Sequence, residues 1–178
     1  MDYVFHYDSP LGGITMGSDG EALVGLWFDG QRYFGNTLHP QFMTGDLPVF
    51  RETRRWLDLY FRGQDPGFTP KLVMRASPFR KEVWEALIAI PFGETVTYGE
   101  IAARIAAGRR IARMSSQAVG GAVGHNAISL IIPCHRVVGT DGSLTGYAAG
   151  LDRKLRLLQL ENAQGFASGN SRAAHVPF

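Results

Sequence analysis

Thr97-Tyr98-Gly99-Glu100-Ile101-Ala102-Ala103-Arg104-Ile105, then Gly108-Arg109-Arg110, then Ser115-Ser116-Gln117-Ala118-Val119-Gly120-Gly121-Ala122-Val123-Gly124: this stretch decides how the second half of the chain is built. Its first four residues carry the capping-box pattern, in which a Thr and a Glu three positions on satisfy each other's orphan backbone amides. A helix over about 97–107 follows, presenting Ile101, Ala102 and Ile105. Gly108-Arg109-Arg110 breaks it, and Ser115 or Ser116 can cap a second short helix running to about Gly124. Two short helices with a tight connection have the form of a helix-turn-helix, a pattern that also occurs in bundles for packing alone. The second helix has almost no side-chain bulk, since Ala118, Gly120, Gly121, Ala122 and Gly124 dominate it, and its intrinsic helicity is poor. Small residues let its backbone approach either another helix or a groove in DNA.

Working outward, Ser77-Pro78 places a capping residue before a proline at a first helical position, and Phe79, Val83, Trp84, Leu87 and Ile88 recur at helical spacing until Pro91. The first third reads as β: Tyr3–Tyr7, Ile14–Met16 and Ala22–Phe28 are short apolar runs separated by Gly12-Gly13 and Asp19-Gly20. A helical pattern from about Val49 to Phe61 groups Phe50, Trp56, Leu57, Tyr60 and Phe61, and Gly63-Gln64-Asp65-Pro66-Gly67 ends it as an inter-domain connection. Downstream, Ile128-Ser129-Leu130-Ile131-Ile132 reads as a buried strand that stops at Pro133, and Asp152 is placed to cap a helix bearing Leu155, Leu158 and Glu161. From Ala163 the chain turns small and polar, as in a mobile tail. The expected fold is α/β in two parts. Residues 1–70 form a small sheet plus helix. Residues 71–165 form a mainly helical domain with a winged-helix-like helix-turn-helix and a short strand before Cys134, and 166–178 form the tail.

Among the 178 residues, 45% are hydrophobic and 19% charged, ordinary values for a globular protein. No run of 18 apolar residues occurs, and Met1-Asp2-Tyr3-Val4-Phe5-His6 lacks the features of a signal peptide, so the expectation is a cytoplasmic protein (nuclear in a eukaryote) without a membrane partner. One cysteine makes neither an internal disulfide nor a thiolate-rich zinc site, so no metal and no cofactor are expected. The net charge of +2 is unevenly spread. Between Glu100 and Asp141 there is no acid, while Arg104, Arg109, Arg110, Arg113 and Arg136 fall there. A nucleic-acid-facing half has that asymmetry, and so does a solvated basic surface.

The sharpest local feature is Ile131-Ile132-Pro133-Cys134-His135-Arg136-Val137. A thiol is only slightly ionised near neutral pH, so a cysteine nucleophile needs a base or a positive field. His135 can be the base and Arg136 can add field. In a regular strand, however, neighbours point to opposite faces. Either Pro133 breaks the strand or a water bridges the pair.

Pro133-Cys134-His135-Arg136-Val137 resembles the acceptor motif of the O6-alkylguanine-DNA alkyltransferases. The likeness extends from Phe79 through Phe92-Gly93-Glu94-Thr95-Val96-Thr97-Tyr98, Ala118-Val119-Gly120-Gly121-Ala122 and Asn126. It continues to Gly146-Tyr147 and Leu157-Leu158-Gln159-Leu160-Glu161, with Ser9-Pro10-Leu11-Gly12 similar at the start. The resemblance implies a helix-turn-helix that enters the minor groove of double-stranded DNA carrying O6-alkylguanine. The base is then flipped out, and its alkyl group passes irreversibly to Cys134, with O4-alkylthymine left open as a second substrate. It implies His135 as proton acceptor through water, Glu161 orienting the imidazole, and Tyr98 donating toward N3 of the departing guanine. Asn126 braces the segment before the cysteine, Tyr147, Ala148 and Ala149 cover the base, and the Ala148 amide faces O6. Arg113, Ser115, Gln117, Ala118, Gly121, Arg136 and Val137 are carried over as DNA or substrate contacts. The form implied is a stand-alone monomer, with cooperative binding along DNA left open.

Two departures from the family pattern have consequences. Gln117 stands where many relatives have the arginine that replaces the extruded base, so it offers hydrogen bonds but no cationic stacking. Ala149 stands where a second glycine often follows, and its methyl is expected to narrow the pocket mouth. Positions 127 and 129, often proline in eukaryotic relatives, are Ala127 and Ser129. A lesion-binding protein without transfer activity, or a helix-turn-helix regulator, would keep the helices; the first lacks the acceptor cysteine, and the second leaves Pro133–Val137 and Glu161 without a purpose.

Overall fold

The computed structural model describes residues 1–163, 165 and 166. The chain divides into two compact units: residues 1–75 with 127–131, and residues 76–126 with 132 onward.

In the first unit, β1 (Asp2–Ser9), β2 (Gly12–Ser18) and β3 (Leu23–Phe28) form the expected antiparallel meander, and β4 (Phe42–Thr44) adds a parallel edge beside β1, giving the order β3-β2-β1-β4. The β1–β2 turn closes through the Ser9 hydroxyl, which donates to Gly12 O. Alternation puts Ile14 and Met16 of β2 inward, where they are buried with Leu26 and Phe28 of β3. Helix α1 (Pro48–Phe61) has proline at its start and buries Phe50, Trp56, Leu57 and Tyr60.

The connection expected at Gly63–Gly67 does not separate the units at once. Leu23 N donates to Lys71 O at 2.8 Å and Val73 N to Leu23 O at 2.8 Å, so 71–73 runs beside β3, and the units divide at 75/76 rather than 70/71. Arg75 is anchored by Asp2, whose carboxylate receives the guanidinium at 2.6 and 2.9 Å and the His39 amide at 2.8 Å; Arg75 also donates to Thr37 O at 2.8 Å.

The second unit holds α2 (Pro78–Ile88), β5 (Val96–Thr97), α3 (Tyr98–Arg109), α4 (Ser116–Gly124), β6 (Val137–Val138) and α5 (Leu151–Leu160), with β5 and β6 paired in parallel. The helix-start signals operate as their chemistry requires. Ser77 accepts from Arg80 N, the Thr97–Glu100 capping box closes on both sides, and Ser115 accepts from Ala118 N. Helix α3 runs through Gly108 and ends at Arg110, which takes the left-handed conformation with φ 56°. Trp84 of α2 donates its indole N–H to Ala122 O at 2.9 Å and so fixes α4 against α2.

Three sequence expectations are corrected. Residues 128–132 are buried but form no strand: Ile128 makes one isolated bridge to Leu26, and Leu130 takes φ 70°, which no ladder continues through. Residues 127–131 belong to the first unit, where Leu26 N donates to Ala127 O and Ser129 N to Leu26 O, each at 2.9 Å. Helix α5 is not capped by Asp152; its N-cap is Gly150, with φ 94° that glycine alone adopts readily, and Asp152 sits in the first turn. The tail does not start at 163 or 166, because Ala163 and Phe166 are buried with Val138, Leu144 and Leu158. Residues 167–178 of the expected tail lie outside the described residues.

Asp2 is almost wholly buried and the Arg75 guanidinium is its cationic partner. Hydrogen bonding from Arg75 holds the Asp2 carboxyl below the usual range. Arg75→Met is therefore expected to cost about 3 kcal/mol at neutral pH in urea unfolding, because a buried carboxylate loses its counter-charge. The loss should shrink as pH falls below the ordinary carboxylate range, where Asp2 is protonated and no longer needs its counter-charge.

Candidate active site

All of the site described here lies in the second unit. Pro133 ends the preceding apolar segment, and Cys134–Arg136 form one 3-10 turn, with Arg136 N donating to Pro133 O at 3.0 Å. A strand would send Cys134 and His135 to opposite faces; the turn replaces that geometry. Cys134 is 5% exposed, and His135 and Arg136 are buried.

Glu161 caps the C-terminal end of α5, where Leu157 and Leu158 on the same face are buried. A carboxylate at a helix C-terminus faces the negative end of the dipole, so it needs strong compensation. Four donors supply it: His135 Nε2 at 2.6 Å, Arg136 Nε at 2.9 Å, Arg136 Nη2 at 3.0 Å and Gly93 N at 3.0 Å. Arg136 spends its remaining arm on Ile90 O at 2.6 Å. Burial would raise the Glu161 carboxyl, but His135 and Arg136 outweigh it and hold it well below the usual carboxylate range. Burial pushes His135 below its ordinary value against the pull of Glu161. The ring is thus neutral near pH 7. Because a carboxylate only accepts, Nε2 carries the proton and Nδ1 is the basic nitrogen.

Burial also pushes the Cys134 thiol up, while the Asn126 side chain, Lys154 and backbone N–H groups of the turn favour the thiolate. Asn126 donates to Ile132 O at 2.7 Å, tying the end of α4 to the residue before the proline. Tyr98, the first residue of α3, donates its hydroxyl to Thr145 O at 3.0 Å, and burial raises its pKa. The Tyr147 hydroxyl is buried with no hydrogen-bond partner among the described residues, and burial drives its pKa well up. Ala148 is half-buried beside it and Ala149 is buried.

Of the residues expected to meet DNA, Arg113, Ser115, Gln117, Ala118 and Gly121 are exposed, while Val119, Ala122 and Val123 of α4 are buried on the opposite side. A Cβ at Gly121 or Gly124 would meet nothing within 4 Å, so internal packing does not require glycine at either position. Arg136 and Val137 differ from these in exposure: the Arg136 guanidinium is taken up by Glu161 and Ile90 O, and Val137 is buried in β6, paired with Val96. Arg109 also differs from a free basic residue, since it grips Glu82 at 2.6 Å.

Lys154 was not singled out in the sequence. It is 0% exposed, donates to Thr145 O at 2.9 Å and Gly146 O at 3.3 Å, and burial lowers its pKa to about 8. The signal was present: Lys154, Leu157, Leu158 and Glu161 share one helix face at i, i+3, i+4 and i+7, so the lysine occupies an apolar position. Among the described residues no group of His, Cys, Asp and Glu could hold a metal ion, and no helix is long and apolar enough to cross a membrane.

Comparison with known proteins agrees across nearly the whole chain. Residues 3–72 match the family described as 6-O-methylguanine DNA methyltransferase, ribonuclease-like domain, and residues 78–163 match its DNA binding domain. The chain is 41% identical over 164 residues to the methylated-DNA–protein-cysteine methyltransferase of Mycobacterium tuberculosis, covering 90% of this chain and 94% of that protein. It is 42% identical over 161 residues to the Haemophilus influenzae protein of the same name, covering 89% and 86%. The crystal structure of Mycobacterium tuberculosis OGT in complex with DNA superposes with a TM-score of 0.79 at 37% identity, covering 97% of this chain and 99% of that one. With both halves matched, in order, the chain belongs to the 6-O-methylguanine DNA methyltransferase family.

Proposed function

We propose that this protein repairs alkylated DNA by moving the O6-alkyl group of a flipped guanine onto Cys134, once per chain. The observation that carries it is the placement of the only cysteine on a turn whose next two residues are locked to a buried carboxylate. DNA is the partner. Support for minor-groove entry comes from α4, whose outer face is Gln117, Ala118 and Gly121; the near-absence of side chain at the last two suits a groove about 6 Å wide. A flipped base is required because the alkyl carbon on O6 is unreachable inside the stack.

The chemistry assigns one task to each group. His135 Nδ1 takes the thiol proton, through a water, and Glu161 fixes the tautomer and steadies the imidazolium that forms. The thiolate attacks the alkyl carbon, forming the S–C bond as the C–O6 bond breaks, and the electron pair passes into the guanine ring. Tyr98 donates its phenolic proton to N3, so the base departs neutral. Tyr147 and Ala148 cover the base, and the buried Tyr147 hydroxyl gains a partner when a purine arrives. One chain holds one acceptor sulfur, so a monomer suffices. A non-transferring lesion binder or a regulator would leave this arrangement idle.

Three measurements test this reading. Incubation with a duplex carrying O6-methylguanine should add one methylene to the intact mass of each chain, and Cys134→Ser should show binding without any gain. Glu161→Gln leaves Arg136 buried with a neutral partner and is expected to cost about 3 kcal/mol in stability and to slow transfer by roughly 100-fold, as loss of base support does elsewhere; single-turnover rates and urea unfolding check both. Gln117→Arg adds a stacking cation at the vacated site and should tighten duplex affinity by about fivefold, roughly 1 kcal/mol; unchanged affinity and unchanged rate would count against a role for this position in flipping.

A further inference from the structure

We infer that Lys154 is a positioning residue that acts through Tyr98: it holds the Thr145 carbonyl so that the phenol can leave it, and it faces the negative charge that the phenol acquires. The inference rests on Tyr98 being the proton donor to the departing guanine.

Two donors converge on one carbonyl oxygen. Tyr98 hydroxyl reaches Thr145 O at 3.0 Å and Lys154 Nζ reaches the same atom at 2.9 Å, with Gly146 O a second acceptor at 3.3 Å. The phenol that must donate to a base is thus engaged elsewhere in the free protein. A carbonyl has two lone pairs and accepts both donors at once. When Tyr98 turns to N3, Lys154 keeps the oxygen satisfied, so the switch strands no acceptor. Without the lysine, each departure of the hydroxyl costs a hydrogen bond.

The second part is electrostatic. Lys154 Nζ lies 6.0 Å from the centroid of the Tyr98 ring. Lys154 is wholly buried and forms no ion pair among the described residues, an arrangement that stability alone disfavours. Its pKa of about 8 keeps it largely charged at neutral pH. As guanine takes the proton, the products are S-alkylcysteine, neutral guanine, Tyr98 phenolate and His135 imidazolium; solvent later returns a proton to the phenolate and removes one from the imidazolium. During that interval the ammonium is the cation on the Tyr98 ring, and it lowers the cost of the phenolate.

The test separates work done through Tyr98 from any general effect on Cys134. Single-turnover methyl transfer from saturating O6-methylguanine duplex is divided by the rate of Cys134 alkylation by iodoacetamide at the same pH, since the second reaction needs no proton donor. Tyr98→Phe should lower this ratio. Lys154→Met should lower it about tenfold, and adding Lys154→Met to Tyr98→Phe should lower it no further. A ratio unchanged in Lys154→Met, or losses that multiply in the double variant, overturns the inference while leaving the role of Tyr98 intact. A ratio unchanged in Tyr98→Phe overturns both. Should the methionine variant not fold, Lys154→Gln, which keeps an N–H for the carbonyl but no charge, should fall between wild type and Tyr98→Phe and be silent in the Tyr98→Phe background; a full wild-type ratio sinks the electrostatic part, and an additive loss sinks the coupling.

Discussion

The second unit is organised around a carboxylate that should not be stable where it is. Glu161 is buried at the negative end of α5, and four hydrogen bonds from His135, Arg136 and Gly93 make the position tenable. Each of those donors belongs to a different structural problem. Gly93 starts the approach to β5, Arg136 continues through Ile90 O to the end of α2, and His135 is the neighbour of the reactive sulfur. One anion therefore fixes the tautomer of the His135 imidazole, the start of β6 and the end of α2 together. A buried ion cluster of this kind contributes little net stability compared with apolar packing. What it supplies is a unique arrangement, and the proposed proton relay depends on one.

The sulfur itself poses the opposite problem. Burial opposes ionisation of Cys134, while Asn126, Lys154 and backbone N–H groups favour it. These groups are fixed before any substrate arrives, so they stabilise charge without reorganising at the moment of reaction. A thiol that is only 5% exposed also meets free electrophiles slowly, so an alkyl group held against it inside the site has the advantage. Burial and reactivity are compatible because the thiolate needs to exist only while the site is filled.

Most of this was legible in the sequence wherever a residue's local chemistry determines its conformation. The Thr97–Glu100 box, the Ser77 and Ser115 caps and the alternation of β2 needed no tertiary information. Where long-range packing decides, local patterns misled. The run 128–132 is as apolar as a strand, yet Leu130 at φ 70° breaks it, and the segment earns its burial by lying against Leu26. Gly150 outranks Asp152 as a cap because the chain must enter α5 through a positive φ. Arg136 is carried over from the family motif as a DNA or substrate contact; only the fold reveals that its guanidinium is paired with a buried glutamate. Lys154 was visible as a charge on an apolar helix face, but its partners are carbonyls, and backbone acceptors leave no trace in composition.

The single cysteine also explains why the reaction ends with the protein. Alkylation turns the sulfur into a thioether, which neither ionises nor serves as a good leaving group. Reversal would need a second nucleophile close by, and the sequence contains no other thiol. The groups that favour the anion, Asn126 and Lys154 among them, then face a neutral, larger atom group in a site only 5% exposed. Close-packed surroundings accommodate an added methyl poorly. The same features that make Cys134 a good acceptor, enclosure and a preset positive field, leave its product without a way back.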